Sequence, residues 1–193
     1  MPWGRSGQGI ARLTSQTPVR NHAEPKENDR VGKSAGTLEQ PERPSAAGFS
    51  FAIIAARFNG DLTALLAEGA ARTLGAHGAG SECVRLFHVP GSYEISLLAS
   101  RLAATGRFDA IVCVGCVIRG ETSHYDHLCD EVFRGLGEVS RRSGVPVTVG
   151  VVTAENLEQA QARAGGKAGN RGADAALAAI EMASLYRREG LRP

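Results

Sequence analysis

Residues Ala110-Ile111-Val112-Cys113-Val114 form an apolar, largely β-branched run with no polar residue in either phase of an alternating pattern. A strand of that composition is wet on neither face, so it belongs inside a sheet covered by helices on both sides. Directly after it come Gly115-Cys116-Val117-Ile118-Arg119-Gly120-Glu121-Thr122-Ser123-His124-Tyr125-Asp126-His127, then Leu128, Val132, Leu136 and Val139 at helical spacing. The polar stretch therefore leaves the carboxyl end of a buried strand and opens a helix. Open α/β sheets place ligands at that edge, and free N–H groups at a helix start favour an anion. Thr122 and Ser123 are suited to cap the helix. His124, in the first turn, is of the one type that titrates near neutrality unaided.

The same pattern recurs along the chain. Phe51–Ala56 reads as a buried strand, closed by Arg57-Phe58-Asn59-Gly60, and Asp61 then caps a helix with Leu62, Leu65, Leu66 and Gly69 on one face. Cys83–Val89 is a second strand, turned by Pro90-Gly91-Ser92 into a helix bearing Ile95, Leu98, Ala99 and Leu102. Val147–Val152 is the fourth strand. A helix starting at Thr153 (Glu155, Leu157, Ala160) breaks at Gly165-Gly166, and a last helix runs from about Ala173 to Arg188. This alternation predicts an α/β fold, a flavodoxin-like three-layer α/β/α sandwich on a four-stranded parallel sheet of order 2-1-3-4. A chain of 193 residues suits one such domain. So small a sheet leaves apolar helix surface to spare, which predicts an oligomer.

Residues 1–47 carry Pro2, Pro18, Pro25, Pro41 and Pro44 and almost no periodic apolar residues. They read as a disordered or loosely ordered tail, with the domain occupying 48–193. Arg5, Arg12 and Arg20, with no acidic residue before Glu24, also suit an organelle transit peptide. An upstream start codon and an extension lying on a partner subunit are the other readings. A net charge of +2 and 5% aromatic residues argue against nucleic-acid binding. No apolar run approaches the roughly 18 residues of a membrane span. Of Cys83, Cys113, Cys116 and Cys129, three lie in or beside apolar segments, as expected for reduced thiols of a cytoplasmic protein. Cys113 and Cys116 match C-x-x-C, but an odd spacing in a strand sends the two side chains to opposite faces, against a redox pair.

In a parallel sheet all carboxyl ends share one edge. Four segments converge there: Phe58-Asn59, Gly91-Ser92-Tyr93-Glu94, the stretch through His124, and Val149-Gly150. Phe58 and Tyr93 could stack on a flat heterocycle or simply cover the core. Asn59 and Glu94 could bind a polyol or amide edge or serve as caps. His124 could act as a general acid/base or only cap its helix. A metal site of His124, His127 and Cys129 is disfavoured, because Cys129 leaves the helical face that the two histidines share. Further on, Arg163, Lys167 and Arg171 lie among glycines. They could grip a phosphate or merely complement a helix end.

Jointly, Arg57-Phe58-Asn59, Val89 to Ile95, Gly115 to Asp126, Thr153 to Ala160 and Lys167 to Asn170 resemble, in order and spacing, the lumazine synthase family of riboflavin biosynthesis. The resemblance covers about Phe49 to Leu185. It implies condensation of 5-amino-6-(D-ribitylamino)uracil with 3,4-dihydroxy-2-butanone 4-phosphate to 6,7-dimethyl-8-ribityllumazine, with no cofactor and no metal. It implies stacking by Phe58 and ring and ribityl contacts from Ser92, Tyr93, Glu94 and the backbone of Cys116, Val117 and Ile118. Glu121 (through its N–H), Thr122 and Arg163 would hold phosphate, and His124 would be the acid/base. Val149 stands where the family usually has an aromatic residue, and Arg171 where lysine is common. The family works as pentamers with Phe58 and Arg163 reaching a site from different chains. Some members close twelve pentamers into an icosahedral shell, and others stop at the pentamer or pair pentamers; riboflavin synthase is the protein partner that the resemblance suggests. The short break at Gly165–Asn170 fits the shell form, whereas the proline-bearing tail could oppose closure. A non-catalytic flavin or lumazine binder and a flavodoxin-like electron carrier are the rivals. The carrier would need a phosphate loop after the first strand, and Arg57-Phe58-Asn59-Gly60-Asp61 is not one.

Overall fold

In the computed structural model, which describes residues 44–191, the strands alternate with helices from the first strand onward. In chain order these are β1 (Phe51–Ala56), α1 (Gly60–Ala76), β2 (Val84–Val89), α2 (Ile95–Ala103), β3 (Ala110–Ile118) and α3 (His124–Ser143). They continue with β4 (Val147–Ala154), α4 (Leu157–Arg163), β5 (Ala164–Gly166), β6 (Gly169–Asn170) and α5 (Arg171–Arg188). Single 3-10 turns, Ser81–Cys83 and Ser92–Glu94, precede β2 and α2. The main sheet is parallel throughout with order β2-β1-β3-β4, as the sequence predicts.

Alternation along β1 and β3 divides the core in two. Phe51, Ile53, Ala55, Val112, Val114 and Cys116 face the α1 and α5 side with Leu66, Ala70, Ala176 and Ile180. Ala52, Ile54, Ile111, Cys113 and Val117 face Ile95, Ala99, Val132 and Leu136 of α2 and α3. Cys113 and Cys116 thus lie on opposite faces, as their spacing requires. Ala46, within the segment assigned to the tail, is fully buried, and its N–H donates to the His77 carbonyl. The rest of the tail reading, residues 1–43, lies outside the described residues.

Several boundaries differ from the sequence expectation. β3 runs on through Ile118, because β4 pairs with it as far as Ile118 opposite Ala154. Thr153 therefore lies in β4, and α4 starts three positions after the strand's last residue, capped by the Asn156 side chain, which accepts from the Gln159 N–H. α1 is entered through Asn59 in the left-handed conformation (φ 56°), with Asp61 in its first turn instead of capping it. Leu65 points outward. α5 begins at Arg171, its cap being the Asn170 side chain on the Ala173 N–H. The Gly165–Asn170 break is a β5–β6 hairpin, and Gly165 (φ 114°) and Gly169 (φ 79°) supply its positive-φ positions.

Candidate active site at the carboxyl edge of the sheet

The β1–α1 corner is built to throw one aromatic ring outward. Arg57 and Phe58 donate their N–H groups to the Val89 and Pro90 carbonyls (2.8 and 3.1 Å), continuing the sheet ladder past both strands. Asn59 donates from Nδ2 to the Cys116 carbonyl (2.9 Å), while buried Thr63 donates its hydroxyl to the Asn59 carbonyl (2.8 Å). With its neighbours tied on both sides, Phe58 stands 70% exposed. Asn59 is therefore a fastener between β1 and β3, with one of its two side-chain N–H donors already used.

The β2–α2 corner lies beside it. Glu94 accepts from the Gly91 N–H (2.9 Å), which closes the 3-10 turn. Ser92 is buried against Gly115 of β3, and Tyr93 projects into solvent. Gly115 is what allows this approach, since a Cβ there would lie 2.7 Å from Ser92 Oγ. Cys116 and Val117 are buried and Ile118 partly so, at the end of β3. Burial pushes the Cys116 thiol up to about 11, so it carries no charge to this edge near neutrality.

Beyond Ile118, residues Glu121, Thr122 and His124 are exposed at the start of α3. Ser123 occupies the capping position with a helical backbone and no capping side-chain bond, contrary to expectation. Thr122 Oγ1 accepts from the His124 N–H at 3.4 Å, a long bond. The Asp126 N–H donates to the Ser123 carbonyl (3.1 Å); N–H groups left over at such a helix start can donate to an anion.

The residue that sequence reading passed over is Arg119. Its N–H donates to the Ala154 carbonyl (2.9 Å), and its guanidinium reaches both Asp126 oxygens (3.0 and 2.7 Å) and Glu155 (2.7 Å). The same group stacks over the Tyr125 ring at 4.1 Å. Hydrogen bonding to Arg119 holds the Asp126 carboxyl below its usual range, and burial raises the Tyr125 hydroxyl. A lone arginine just past a buried strand was the available signal. Its partners, seven and thirty-six positions away, were not.

The edge thus gathers Phe58, Ser92, Tyr93, Glu94, the 116–118 backbone, Glu121, Thr122 and His124. It does not gather Val149, which pairs with Cys113 five residues before the end of β4 and is 38% exposed. The expectation that Val149-Gly150 ends its strand is corrected by the longer β4. Arg163, at the end of α4, is half-buried and donates to the Gln159 carbonyl of its own helix (3.1 Å). Lys167 pairs with Glu158, and Arg171 with Asp174. The edge itself is an open shelf. A groove of about 750 Å³ between α2 and α3 touches it only through Tyr93 and Glu94. Among the described residues, no three His, Cys, Asp or Glu side chains are grouped to hold a metal ion, and no helix is long and apolar enough to cross a membrane.

A family model described as 6,7-dimethyl-8-ribityllumazine synthase matches residues 48–187, well over half of the chain. That span begins just ahead of β1, ends within the last turn of α5, and contains every segment that builds the shelf. The chain belongs to the 6,7-dimethyl-8-ribityllumazine synthase family, enzymes of riboflavin biosynthesis.

Proposed function

We propose that this chain condenses 5-amino-6-(D-ribitylamino)uracil with 3,4-dihydroxy-2-butanone 4-phosphate, releasing phosphate and water, as the penultimate step to riboflavin. The observation that carries this reading is the meeting, on one shelf, of an exposed aromatic ring with an uncapped helix start that begins at His124. A pyrimidine lies against Phe58, with Ser92, Tyr93, Glu94 and the 116–118 backbone holding its polar edge and ribityl chain. The phosphate takes the N–H groups near Glu121 and Thr122. The exposed Glu121 carboxylate turns away from it, because two anions in contact repel.

The pyrimidine amine attacks the ketone and loses water to form an imine. Phosphate then leaves by elimination, the resulting enol tautomerises to a ketone, and the ribityl-bearing nitrogen adds to that ketone and closes the ring with loss of a second water. Each step moves a proton, and His124 at the helix start is the group suited to relay them. Holding both substrates side by side supplies much of the remaining acceleration. The chemistry calls for no cofactor.

Val149 lies short of the end of β4, the Arg163 guanidinium bonds back onto its own helix, and Phe58 and Tyr93 stand exposed, which supports a site completed by a neighbouring copy. We assign a homopentamer in which Arg163 grips the phosphate bound by the next subunit. Family members differ in whether pentamers stay single, pair or close as twelve into a shell; the short Gly165–Asn170 break favours the shell, in which riboflavin synthase would be the enclosed partner, and the reduced cysteines favour a cytoplasmic setting. Residues 48–193 form the catalytic domain, with Ala46 of the preceding segment packed into its core.

Purified protein mixed with both substrates is expected to develop the lumazine chromophore. His124→Ala is expected to slow turnover by about 10²- to 10⁴-fold, and Arg163→Ala to raise KM for the four-carbon phosphate above all. Absence of product, with lumazine or flavin still bound, would move the assignment to the binding protein. Such a binder requires neither an acid/base nor a phosphate grip.

A further inference from the structure

The loop between β3 and α3 carries the Glu121 and Thr122 N–H groups and His124, yet its own fastenings are weak. Its cap position makes no side-chain bond, and the Thr122–His124 contact is long. The strong contacts here belong to Arg119. Its backbone closes the last rung to Ala154, its guanidinium takes both oxygens of Asp126 in the first turn of α3, and its Nε reaches Glu155 before α4. Its plane also covers Tyr125, the residue after His124. A fork of this kind fixes direction as well as distance, which a point charge does not.

We propose that Arg119 is a positioning residue for the reaction: it clamps the first turn of α3 to the β4–α4 corner and so sets where His124 and the anion-facing N–H groups stand. It touches neither substrate. Both of its carboxylate partners are spent on it, so they do not present bare negative charge next to the phosphate. Without Arg119, Asp126 and Glu155 would oppose that phosphate as well as release the loop. This inference rests on the condensation proposed above.

The test compares Arg119→Gln, Arg119→Lys, Asp126→Asn and the double variant Arg119→Gln/Asp126→Asn with wild type. Arg188→Gln, which breaks an exposed ion pair with Glu189 at the far end of α5, is the control for loss of one charge. Misplacing a catalytic group by about 1 Å costs about 100-fold. Arg119→Gln is therefore expected to lose about 10- to 100-fold in kcat/KM, with kcat lowered and KM for the four-carbon phosphate raised more than KM for the pyrimidine. Arg119→Lys should recover only part, since it restores charge without the fork. The double variant should be no worse than Arg119→Gln, because both changes break one contact. Arg188→Gln should match wild type. If Arg119→Gln fails to fold, Asp126→Asn read alone for the same kcat and KM pattern decides. Wild-type kinetics in Arg119→Gln or Asp126→Asn, a loss spread equally over both substrates' KM values with kcat intact, or full rescue by lysine would each overturn the inference. An inactive wild type would instead overturn the condensation itself.

Discussion

Gly115→Ala is the perturbation that most directly joins packing to the shelf. The added Cβ would stand 2.7 Å from Ser92 Oγ and 3.3 Å from Ile95 Cδ1, with Ala56 Cβ at 3.6 Å on the remaining side. The first distance is 0.7 Å short of the 3.4 Å at which ordinary contact begins. Two relaxations are open. Ser92 can rotate about χ1, or the 3-10 turn that carries Ser92, Tyr93 and Glu94 can move off β3. Forced rotamers and overpacked cores together cost about 1–3 kcal/mol. For a domain of this size, that lowers the unfolding midpoint by roughly 2–12 °C. Either route also takes the Ser92 hydroxyl from its present place. Loss of one hydrogen bond of about 0.5–1.5 kcal/mol raises KM for the pyrimidine by roughly 2- to 12-fold. Unfolding midpoints, compared at one protein concentration because self-association adds to apparent stability, and KM for each substrate are the assays. Gly115→Ala/Ser92→Ala, which removes the atom in conflict, should regain most of the lost stability while keeping the KM of Ser92→Ala. A double variant as unstable as Gly115→Ala would refute the assignment of the conflict to Ser92 Oγ. A wild-type midpoint together with wild-type KM in the single variant would refute the whole chain of reasoning.

Val149→Phe would place an aromatic ring at the position from which the proposed site stacks on the pyrimidine. It is expected to tighten pyrimidine binding by about 0.5–1.5 kcal/mol, and unchanged affinity by calorimetry would remove Val149 from the site. Asp126 has its folded pKa depressed below the usual carboxylate range by Arg119, so the pair's contribution is complete above about pH 4 and is lost as pH falls through the lowered value. The stability difference between wild type and Asp126→Asn, followed by denaturant titration, should therefore stay constant on the neutral side and shrink only in strong acid. A difference that shrinks already towards neutrality would contradict the ion pair. Burial pushes the Cys113 thiol up and that of Cys116 to about 11. A thiol reagent near neutral pH should accordingly label partly exposed Cys83 and Cys129 well ahead of both, with all four alike in denaturant. Fast labelling of Cys116 would mean that the end of β3 opens in the native state.

β1 and β3 were legible as short apolar runs, as befits strands buried on both faces, whereas edge strand β2 leaves Arg85, Leu86 and His88 exposed and was legible mainly from the Pro90-Gly91-Ser92 turn that closes it. The strand ends were less so. Gly115 and Cys116 look like the start of a loop, and only the approach of Ser92 from another corner shows why a glycine sits inside β3. Thr153 has the chemistry of a helix cap, but pairing with β3 holds it in β4 and passes the cap to Asn156. Local signals name the residue types that start a helix, whereas the sheet decides which of two neighbouring candidates is used. Asn170 makes the same point over a greater distance. Its oxygen caps α5 locally, while its amide donates to the Leu65 carbonyl across 105 positions, a contact that no spacing rule foretells.

Legibility of the candidate site follows the same division. Phe58, Ser92 to Glu94 and His124 could be placed because a parallel sheet sends every strand's carboxyl end to one edge, wherever the strand lies in the sequence. Arg119 escaped because its role lies in partners 7 and 36 positions away. Arg163 entered as one of three cations among glycines and Val149 as an expected strand end, but Val149 lies five residues short of the end of β4 and the Arg163 guanidinium bonds back onto its own helix. Under the proposed reaction these two are the residues whose contacts belong to a neighbouring copy. Arg163→Ala subunits mixed with His124→Ala subunits should then regain activity at the sites that receive an intact residue from each chain. If both residues served one chain's own site, mixing would restore nothing.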